Sequence, residues 1–291
     1  MRAIISRYAP APTGYLHLGH VLNAIYVWGA TNVLAEKGTP LTAERRILLR
    51  IEDHDVQRSR KIYEDAILED LAWLGFTADS PPIRQSSRPH AYQRALENLR
   101  AKGLVYACSC SRREVRELRY AGTCRDRGLA DAPGMSLRVR LDPTIERFVD
   151  LRCGPQEQRP AEQCGDLLVR DREGNWTYQF AAAVDDFDHG VTHVIRGEDL
   201  LESTGRQIAL ARLLGRTEPA RFLHHGLLMK SATQKISKSD GDTGVRELRA
   251  RGWTPENVIG LAAAQAGLIP FPRAIRSAEV SSIMSIEERP A

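Results

Sequence analysis

The chain has 291 residues, which at roughly 100–200 residues per domain predicts two domains and excludes a peptide or a single small module. Its composition, 42% hydrophobic and 27% charged, excludes the collagen, coiled-coil and low-complexity classes. The net charge of +4 permits a polyanionic partner without requiring one. No apolar run approaches the roughly 20 residues of a membrane-spanning helix, and the start MRAIISRYAP lacks the apolar core of a signal peptide. We therefore expect a cytoplasmic protein with no membrane partner.

Strand and helix patterns alternate along the first 75 residues. Residues 4–8 predict a strand that ends in a proline-rich turn, and residues 22–34 carry apolar side chains at helical spacing. The apolar run ILLRIED predicts a second strand, and a second helix follows over residues 61–74 with Gly75 at its end. This order indicates a Rossmann-like α/β domain with a doubly wound parallel sheet.

The pattern changes after about residue 80. A helix up to Gly103 precedes a group of cysteines and two strand-like runs, SLRVRL and DLLVRDREGNWTYQF, and the turn Glu173-Gly174-Asn175 predicts a hairpin in the second. Strand, helix and strand then return between VTHVIRGED and FLHHGLLM. We predict a catalytic domain of residues 1–80 and 188–242, an inserted α+β domain of residues 81–187 that carries the cysteines, and a helical C-terminal region of residues 243–291.

Two histidines at the start of the first helix are candidate functional residues. His17 and His20 are three residues apart and share one helix face, and a helix start offers backbone N–H groups and its positive end to a phosphate. By themselves, two such histidines are more often caps or surface groups. The whole run SRYAPAPTGYLHLGH resembles the HIGH signature of class I aminoacyl-tRNA synthetases, in the form found in glutamyl-tRNA synthetases.

A second string late in the chain, Lys235-Ile236-Ser237-Lys238-Ser239, resembles the KMSKS loop of the same family. On its own, a lysine- and serine-rich string is normally a solvated loop. Mobile lysines stabilise the charge that develops on a pyrophosphate leaving group. Together the two signatures imply ATP and Mg²⁺ as ligands, with His17, His20, Lys235 and Lys238 as catalytic residues. The implied ATP-binding residues are His17, Gly19, His20, Lys235, Ser237 and Lys238.

The resemblance to glutamyl-tRNA synthetases also implies a pocket for L-glutamate. The implied binding residues are Arg7, Tyr8, Ala9, Pro10, Ala11, Glu52, Tyr178 and Arg196. Arginine pairs bidentately with carboxylates and glutamate holds an ammonium, so two arginines and one acid suit a dicarboxylic amino acid. Each charged residue alone would instead be interpreted as part of a surface ion pair. Two positions depart from the family: Ala11 replaces a usual serine, and Ala182 replaces an asparagine of the full-length synthetases.

Three of the five cysteines, Cys108, Cys110 and Cys124, lie close together in the sequence. Without a secretory signal, metal binding or free thiols are better interpretations than disulfides. Three thiolates leave a tetrahedral zinc site one ligand short, and three reduced buried thiols fit the spacing equally well. The pattern C-x-C followed by Y-x-x-x-C, which includes Tyr120, resembles the zinc site of the glutamyl-queuosine tRNA(Asp) synthetases, a family of short paralogues. The resemblance implies one structural Zn²⁺ with Tyr120 as the fourth ligand.

Length favours the short paralogues. A complete glutamyl-tRNA synthetase continues past its KMSKS loop into a helical anticodon-binding region, whereas 52 residues (240–291) follow Ser239 here. We therefore expect a monomer that activates glutamate with ATP and transfers the glutamyl group to queuosine in the anticodon of tRNA(Asp). Two alternatives stay open: a truncated glutamyl-tRNA synthetase that charges tRNA(Glu), and a non-catalytic zinc module that binds RNA.

Overall fold

A computed structural model describes residues 3–37, 44–111, 115, 119–228 and 244–286. In these ranges the strands are β1 Ile4–Tyr8, β2 Arg45–Ile51, β3 Ile83–Arg84, β4 Val105–Cys108, β5 Ser136–Val139, β6 Glu146–Asp150, β7 Gly154–Gln158, β8 Leu167–Arg170, β9 His193–Gly197 and β10 Arg221–His225. The helices are α1 Leu18–Lys37, α2 Lys61–Leu74, α3 Pro89–Ala101, α4 Pro160–Gln163, α5 Tyr178–Asp188, α6 Thr204–Leu213, α7 Val245–Ala250 and α8 Pro255–Gln265. None of these helices is long and apolar enough to cross a membrane.

The sheets that form the centre of the fold are mixed. Strands β1, β2 and β3 pair in parallel, and β9, β10 and β6 also pair in parallel in a second sheet. Strand β7 closes the edge of the second sheet antiparallel to β6. The predicted purely parallel sheet is therefore wrong at this edge. Three residues separate β6 from β7, and so short a connection cannot make the crossover that a parallel pair needs.

Strands β1 and β9 bring the two parallel groups side by side. The backbone N–H of Thr192 donates to Ile5 O (2.9 Å), and the Thr192 hydroxyl accepts from the Ile5 N–H (2.8 Å). Further along, the Arg7 side chain reaches the carbonyl oxygen of Ile195 (3.4 Å), so β1 and β9 run in the same direction. Open α/β sheets bind ligands beyond the carboxyl ends of such neighbouring strands. The fold thus places a candidate site beyond the carboxyl ends of β1 and β9.

The first four predicted elements are confirmed in type. Strand β1 and helix α2 have the predicted bounds, and β2 covers most of the run ILLRIED. The first helix begins earlier than predicted, at Leu18 rather than residue 22. Leu18, Val21, Leu22 and Ile25 are all buried, so the apolar face of the helix already starts in its first turn.

A third sheet of order β4-β5-β8 is antiparallel throughout. The strand-like interpretation of the run up to Phe180 is wrong in its second half. Strand β8 ends at Arg170, the predicted turn at Gly174 is closed by one bridge between Arg170 and Trp176, and helix α5 starts at Tyr178. The segment is helical because its buried residues are spaced as on one face of a helix. Phe180, Ala181 and Val184 pack into the core that α3 and α6 share with this sheet.

The domain boundaries at residues 80, 187 and 242 stay a prediction. Within the segment 81–187, strands β6 and β7 belong to the mixed sheet that contains β9 and β10, whereas β4, β5 and β8 form the separate antiparallel sheet. The chain therefore leaves the parallel strands after β3 and returns to them at β6, before residue 188.

Candidate active site

A cavity of about 570 Å³ lies beyond the carboxyl ends of β1, β2, β9 and β10. Every described residue that the sequence predicted for ATP or glutamate binding lines it: Arg7, Tyr8, Ala9, Pro10, Ala11, His17, Gly19, His20, Glu52, Tyr178 and Arg196. Lys235, Ser237 and Lys238 lie outside the described residues. The fold thus gathers residues from segments far apart in the chain, while their individual roles remain predictions.

Backbone N–H groups orient the two histidine rings. The Gly19 N–H donates to His17 Nδ1 (3.0 Å), and the His17 N–H donates to His20 Nδ1 (3.1 Å). A ring nitrogen that accepts from an amide carries no proton, so each ring in its neutral form holds its proton on Nε2. The ring centroids are 3.9 Å apart. The pair can therefore offer two neighbouring Nε2–H donors, which suit phosphate oxygens.

Gly19 and Tyr8 determine the shape of this turn. A Cβ on Gly19 would lie 2.9 Å from His17 Cε1, so any other residue would push the imidazole away. The Tyr8 hydroxyl donates to the His20 carbonyl oxygen (3.1 Å). Burial raises the pKa of Tyr8 above its usual range, which keeps the hydroxyl a donor. The Tyr8 side chain therefore anchors the start of α1, although the residue also lines the cavity.

A buried network of charges joins Arg7 to Glu52. Asp186 accepts from Arg7 Nε (3.0 Å) and from Arg50 Nη1 (2.5 Å), and Arg50 Nη2 donates to Glu52 Oε1 (2.9 Å). Burial alone would raise the pKa of Asp186, but the charges of Arg50 and Arg7 hold it well below its usual range. Arg50 also lies 3.9 Å from an oxygen of Asp185. Each arginine of this network thus has an acidic partner, and the network fixes Arg7 and Glu52 in position.

Arg196 differs because its partners are neutral. The residue is only 4% exposed, and its guanidinium donates to His224 Nε2 (3.0 Å), Gln207 Oε1 (2.6 Å) and Thr204 Oγ1 (2.9 Å). In the described part of the chain, no carboxylate forms an ion pair with Arg196. Burial lowers its pKa below the usual value but leaves the guanidinium charged, because an arginine stays protonated in proteins. A buried cation without a counter-ion favours an anionic ligand.

Asp150 determines the state of His224. An arginine can only donate, so His224 Nε2 must accept from Arg196, and Nδ1 must carry the proton. That proton is donated to Asp150 Oδ2 (2.7 Å), and both side chains are fully buried. Asp150 also accepts from the backbone N–H groups of Arg152 (3.0 Å) and Cys153 (2.8 Å). Burial would raise the pKa of Asp150, but these donors lower it overall. The carboxylate thereby fixes the imidazole tautomer that Arg196 needs.

Sequence reasoning missed several residues of the site. Asn23, Asp199, His225, Leu227 and Leu228 also line the cavity. Asn23 Nδ2 lies 2.9 Å from His225 Nε2, and the His225 ring stacks on Tyr26 with centroids 4.7 Å apart. The position of FLHHGLLM at the end of a predicted strand was a usable signal for His225, because strand ends meet at this edge of the sheet. No sequence signal pointed to Gln207 and Thr204 as partners of Arg196.

The predicted zinc residues also come together. The sulfur atoms of Cys108, Cys110 and Cys124 all lie within 4.8 Å of one another. The Tyr120 hydroxyl oxygen lies 3.4 Å from Cys108 Sγ and accepts the Cys124 N–H (2.8 Å). Gly165 permits this arrangement, because its φ is +66° and a Cβ there would lie 2.0 Å from the Tyr120 carbonyl oxygen. This group of four side chains is suited to hold a metal ion.

Comparison with known families assigns the chain to one of them. The profile of the family described as tRNA synthetases class I (E and Q), catalytic domain, matches residues 3–264. The chain belongs to this family. All residues that line the cavity fall within the matched range. The class I (E and Q) synthetase family assigned from the two sequence signatures is therefore confirmed.

Two curated members of the class I (E and Q) family share the name Glutamyl-Q tRNA(Asp) synthetase. The protein of Rhodobacter capsulatus is 37% identical over 288 residues, which cover 89% of this chain and 100% of the relative. The protein of Burkholderia cenocepacia is 41% identical over 253 residues, which cover 82% of this chain and 81% of the relative. The similarity extends over most of both proteins.

A solved class I structure shares the architecture. It is a glutamate tRNA ligase from Elizabethkingia meningosepticum in complex with its amino acid, with a TM-score of 0.77 and 25% sequence identity. The match covers 97% of this chain and 64% of that ligase. This chain therefore spans just under two thirds of the ligase and shares its α/β fold.

Proposed function

We propose that this protein activates glutamate with ATP and transfers the glutamyl group to queuosine in the anticodon of tRNA(Asp). The observation that carries the proposal is the buried Arg196 guanidinium. It lines the same cavity as the histidine pair and has no acidic partner in the described residues. The name shared by the two relatives, Glutamyl-Q tRNA(Asp) synthetase, supports the same amino acid and the same acceptor.

The charges of the cavity suit glutamate. Arg196 and Arg7 would bind its carboxylates, and Glu52 would bind its ammonium, because all three line the cavity and each has the complementary charge. Tyr178 lines the same space, and burial together with the charge of Glu52 raises the pKa of its hydroxyl. The hydroxyl therefore stays protonated and can donate to a carboxylate.

In the first step, a carboxylate oxygen of glutamate attacks the α-phosphorus of ATP, and the bond to the pyrophosphate oxygen breaks. Pyrophosphate leaves with the electron pair, so the step needs no proton transfer and no protein nucleophile. His17 and His20 would donate to phosphate oxygens through Nε2–H, and Gly19 would keep the two rings close. Lys235, Ser237 and Lys238 would stabilise the leaving pyrophosphate. Mg²⁺ that is bound with ATP would neutralise part of the phosphate charge.

In the second step, a hydroxyl of the queuosine ring attacks the carbonyl carbon of glutamyl-adenylate. The new ester bond forms as the bond from that carbon to the phosphate oxygen breaks. AMP leaves with the electron pair, and the hydroxyl proton passes to solvent. The adenylate must be shielded from water in the meantime, which a cavity between strand ends favours.

Two assays test this function. We expect glutamate-dependent exchange of pyrophosphate into ATP without tRNA, and attachment of labelled glutamate to queuosine-containing tRNA(Asp). Equal exchange with aspartate or glutamine would contradict the substrate. Attachment to tRNA(Glu) instead would establish the truncated charging enzyme, and the absence of any exchange would favour the non-catalytic RNA-binding module.

We further propose that Cys108, Cys110, Tyr120 and Cys124 hold one structural Zn²⁺. Tetrahedral coordination at Zn–S distances of 2.3 Å places two sulfurs about 3.8 Å apart, and Cys110 Sγ lies 3.6 Å from Cys124 Sγ. The donor set of three thiols and one phenol oxygen fits zinc. The ion would cross-link strand β4 to the loop that contains Tyr120 and Cys124.

Replacing Cys110 by serine is expected to remove most of the zinc from the purified protein. The change deletes one sulfur ligand of four, and an incomplete ligand set binds zinc far more weakly. Elemental analysis of the protein gives the zinc content per chain. Cys153→Ser is the matched control, because its thiol lies outside the cluster and contacts His224 O. Equal zinc in the Cys110→Ser and wild-type proteins would remove Cys110 from the ligand set.

A further inference from the structure

A second cavity, of about 310 Å³, shares a wall with the first. It lies between the antiparallel sheet and the starts of α5 and α6, and its polar and aromatic lining includes Tyr120, Arg138, Asp166, Tyr178, Gln179 and Arg206. We propose that this acceptor cavity binds the nucleobase that receives the glutamyl group. The inference rests on the proposed function and deepens it, because it assigns residues to the second step.

Three side chains of the acceptor cavity have buried polar atoms without partners. These atoms are Arg138 Nε, Gln179 Oε1 and Arg206 Nε. Arg206 is only partly exposed and forms no hydrogen bond or ion pair with any other residue in the described part of the chain. Buried polar atoms are normally satisfied. Three unsatisfied atoms around one cavity therefore indicate a polar ligand.

The kind of ligand follows from the mixture of donors and acceptors. Two arginines offer donors, whereas Gln179 Oε1 is an acceptor, so the ligand must both accept and donate hydrogen bonds. A phosphate or carboxylate would leave Gln179 Oε1 unsatisfied, because neither donates. The edge of a nucleobase carries carbonyl oxygens and ring nitrogens beside N–H groups. Aromatic and arginine side chains commonly hold such bases when they are unpaired, as in an anticodon loop.

The charge of the acceptor cavity also favours RNA. Asp166 is the one acidic residue among the described residues that line it, and its carboxylate already accepts from Arg125 (2.8 Å) and from the Tyr106 hydroxyl (2.6 Å). Arg138 lies over the Tyr120 ring, 3.7 Å from its centroid, and donates to the Asp166 carbonyl oxygen (2.8 Å). Arg206 lines this cavity and has no ion-pair partner among the described residues, so its positive charge suits a polyanionic partner.

Tyr178 connects the two cavities. It lines both of them, and its neighbour Gln179 lines only the acceptor cavity. A base in the acceptor cavity would therefore be one side chain away from glutamate in the first cavity. That proximity is what the transfer step requires, because the attacking hydroxyl must reach the carbonyl carbon of the adenylate.

The test separates activation from transfer. Replacing Arg206 by alanine is expected to leave glutamate-dependent pyrophosphate exchange unchanged and to lower kcat/KM for queuosine-containing tRNA(Asp) by about 5- to 150-fold, the range for one lost base contact. Gln179→Met should have an effect of the same kind, since it removes the acceptor at similar length. Arg147→Ala is the matched control, because this exposed arginine lines neither cavity and its loss removes the same charge.

The outcomes are distinct. Unchanged transfer in both Arg206→Ala and Gln179→Met, or an equal loss of exchange and transfer, would overturn the acceptor cavity while leaving the proposed function intact. Equal weakening of the binding of tRNA(Asp) with and without queuosine would indicate a phosphate contact and would also overturn the base assignment. Failure of the wild-type protein to exchange pyrophosphate with glutamate would instead remove the proposed function, and the acceptor cavity with it.

Discussion

Replacing Arg196 by lysine is expected to raise the KM for glutamate in the exchange reaction by about 10- to 150-fold, which corresponds to the loss of one hydrogen bond to a charged group, about 1.5–3 kcal/mol. Lysine keeps the charge but cannot donate to His224, Gln207 and Thr204 together with a carboxylate. The contact exists in the ground state and the transition state alike, so kcat should change much less than KM. Initial rates of exchange over a range of glutamate concentrations separate the two parameters.

A second substitution isolates the role of the neutral partners. Gln207→Glu has nearly the same shape, leaves Arg196 in place and gives the guanidinium a carboxylate of its own. We expect the KM for glutamate to rise and the KM for ATP to stay unchanged. Gln207→Met, which removes the acceptor without adding charge, should raise the KM for glutamate less. An unchanged KM in Gln207→Glu would mean that the free charge of Arg196 is not what binds the amino acid.

Replacing Asp186 by asparagine is expected to lower the free energy of unfolding by about 3–5 kcal/mol, the usual cost of removing one partner of a buried ion pair. Asp186 is 7% exposed and lies between Arg7 and Arg50. Its replacement therefore leaves two buried guanidinium groups with less negative charge beside them. Urea titration gives the free energy of unfolding.

Asp188→Asn is the matched control on the same helix, because that carboxylate is half exposed and pairs with Arg88. Its loss should cost about 0–1 kcal/mol. Equal losses in the two variants would contradict the importance of the buried network.

The same network predicts a pH dependence. Asp186 has a depressed pKa in the folded protein, whereas an unfolded aspartate titrates near pH 3.9. Its ionised form therefore stabilises the protein fully above about pH 5, and this contribution is lost as the pH falls toward the folded pKa. Below about pH 5, the stability of the wild-type protein should decline more steeply than that of Asp186→Asn. Parallel acid unfolding curves would contradict this assignment.

Local sequence patterns were sufficient to predict the elements in which buried residues recur at a regular spacing. The strand at residues 4–8 and the helix at residues 61–74 have regular apolar spacing and clear ends, so their bounds were predicted. The run near Trp176 failed because its alternation resembled a strand, while its apolar residues are buried by α3 and α6. That burial comes from distant parts of the chain and leaves no local signal.

The candidate site shows the same division. Residue types and their resemblance to a family predicted Arg7, Glu52, Tyr178 and Arg196, and the structure places all four on one cavity. The residues that hold them, such as Asp186, were not predicted. An aspartate in a helix has no feature that distinguishes a surface ion pair from the centre of a buried network. Only the contacts of Asp186 with Arg7 on β1 and Arg50 on β2 make that distinction.

The sequence by itself therefore determined the family, and it predicted the two ATP signatures, the charged residues for glutamate and the four residues of the proposed zinc site. Each of these depends on the types of residues in short motifs, which can be recognised in the sequence. The tertiary structure alone decided that the sheet is mixed, that the partners of Arg196 among the described residues are neutral, and that a second polar cavity adjoins the first at Tyr178. These features depend on burial and on contacts between residues far apart in the chain, such as Asp150 with His224, and both are set only when the strands and helices pack.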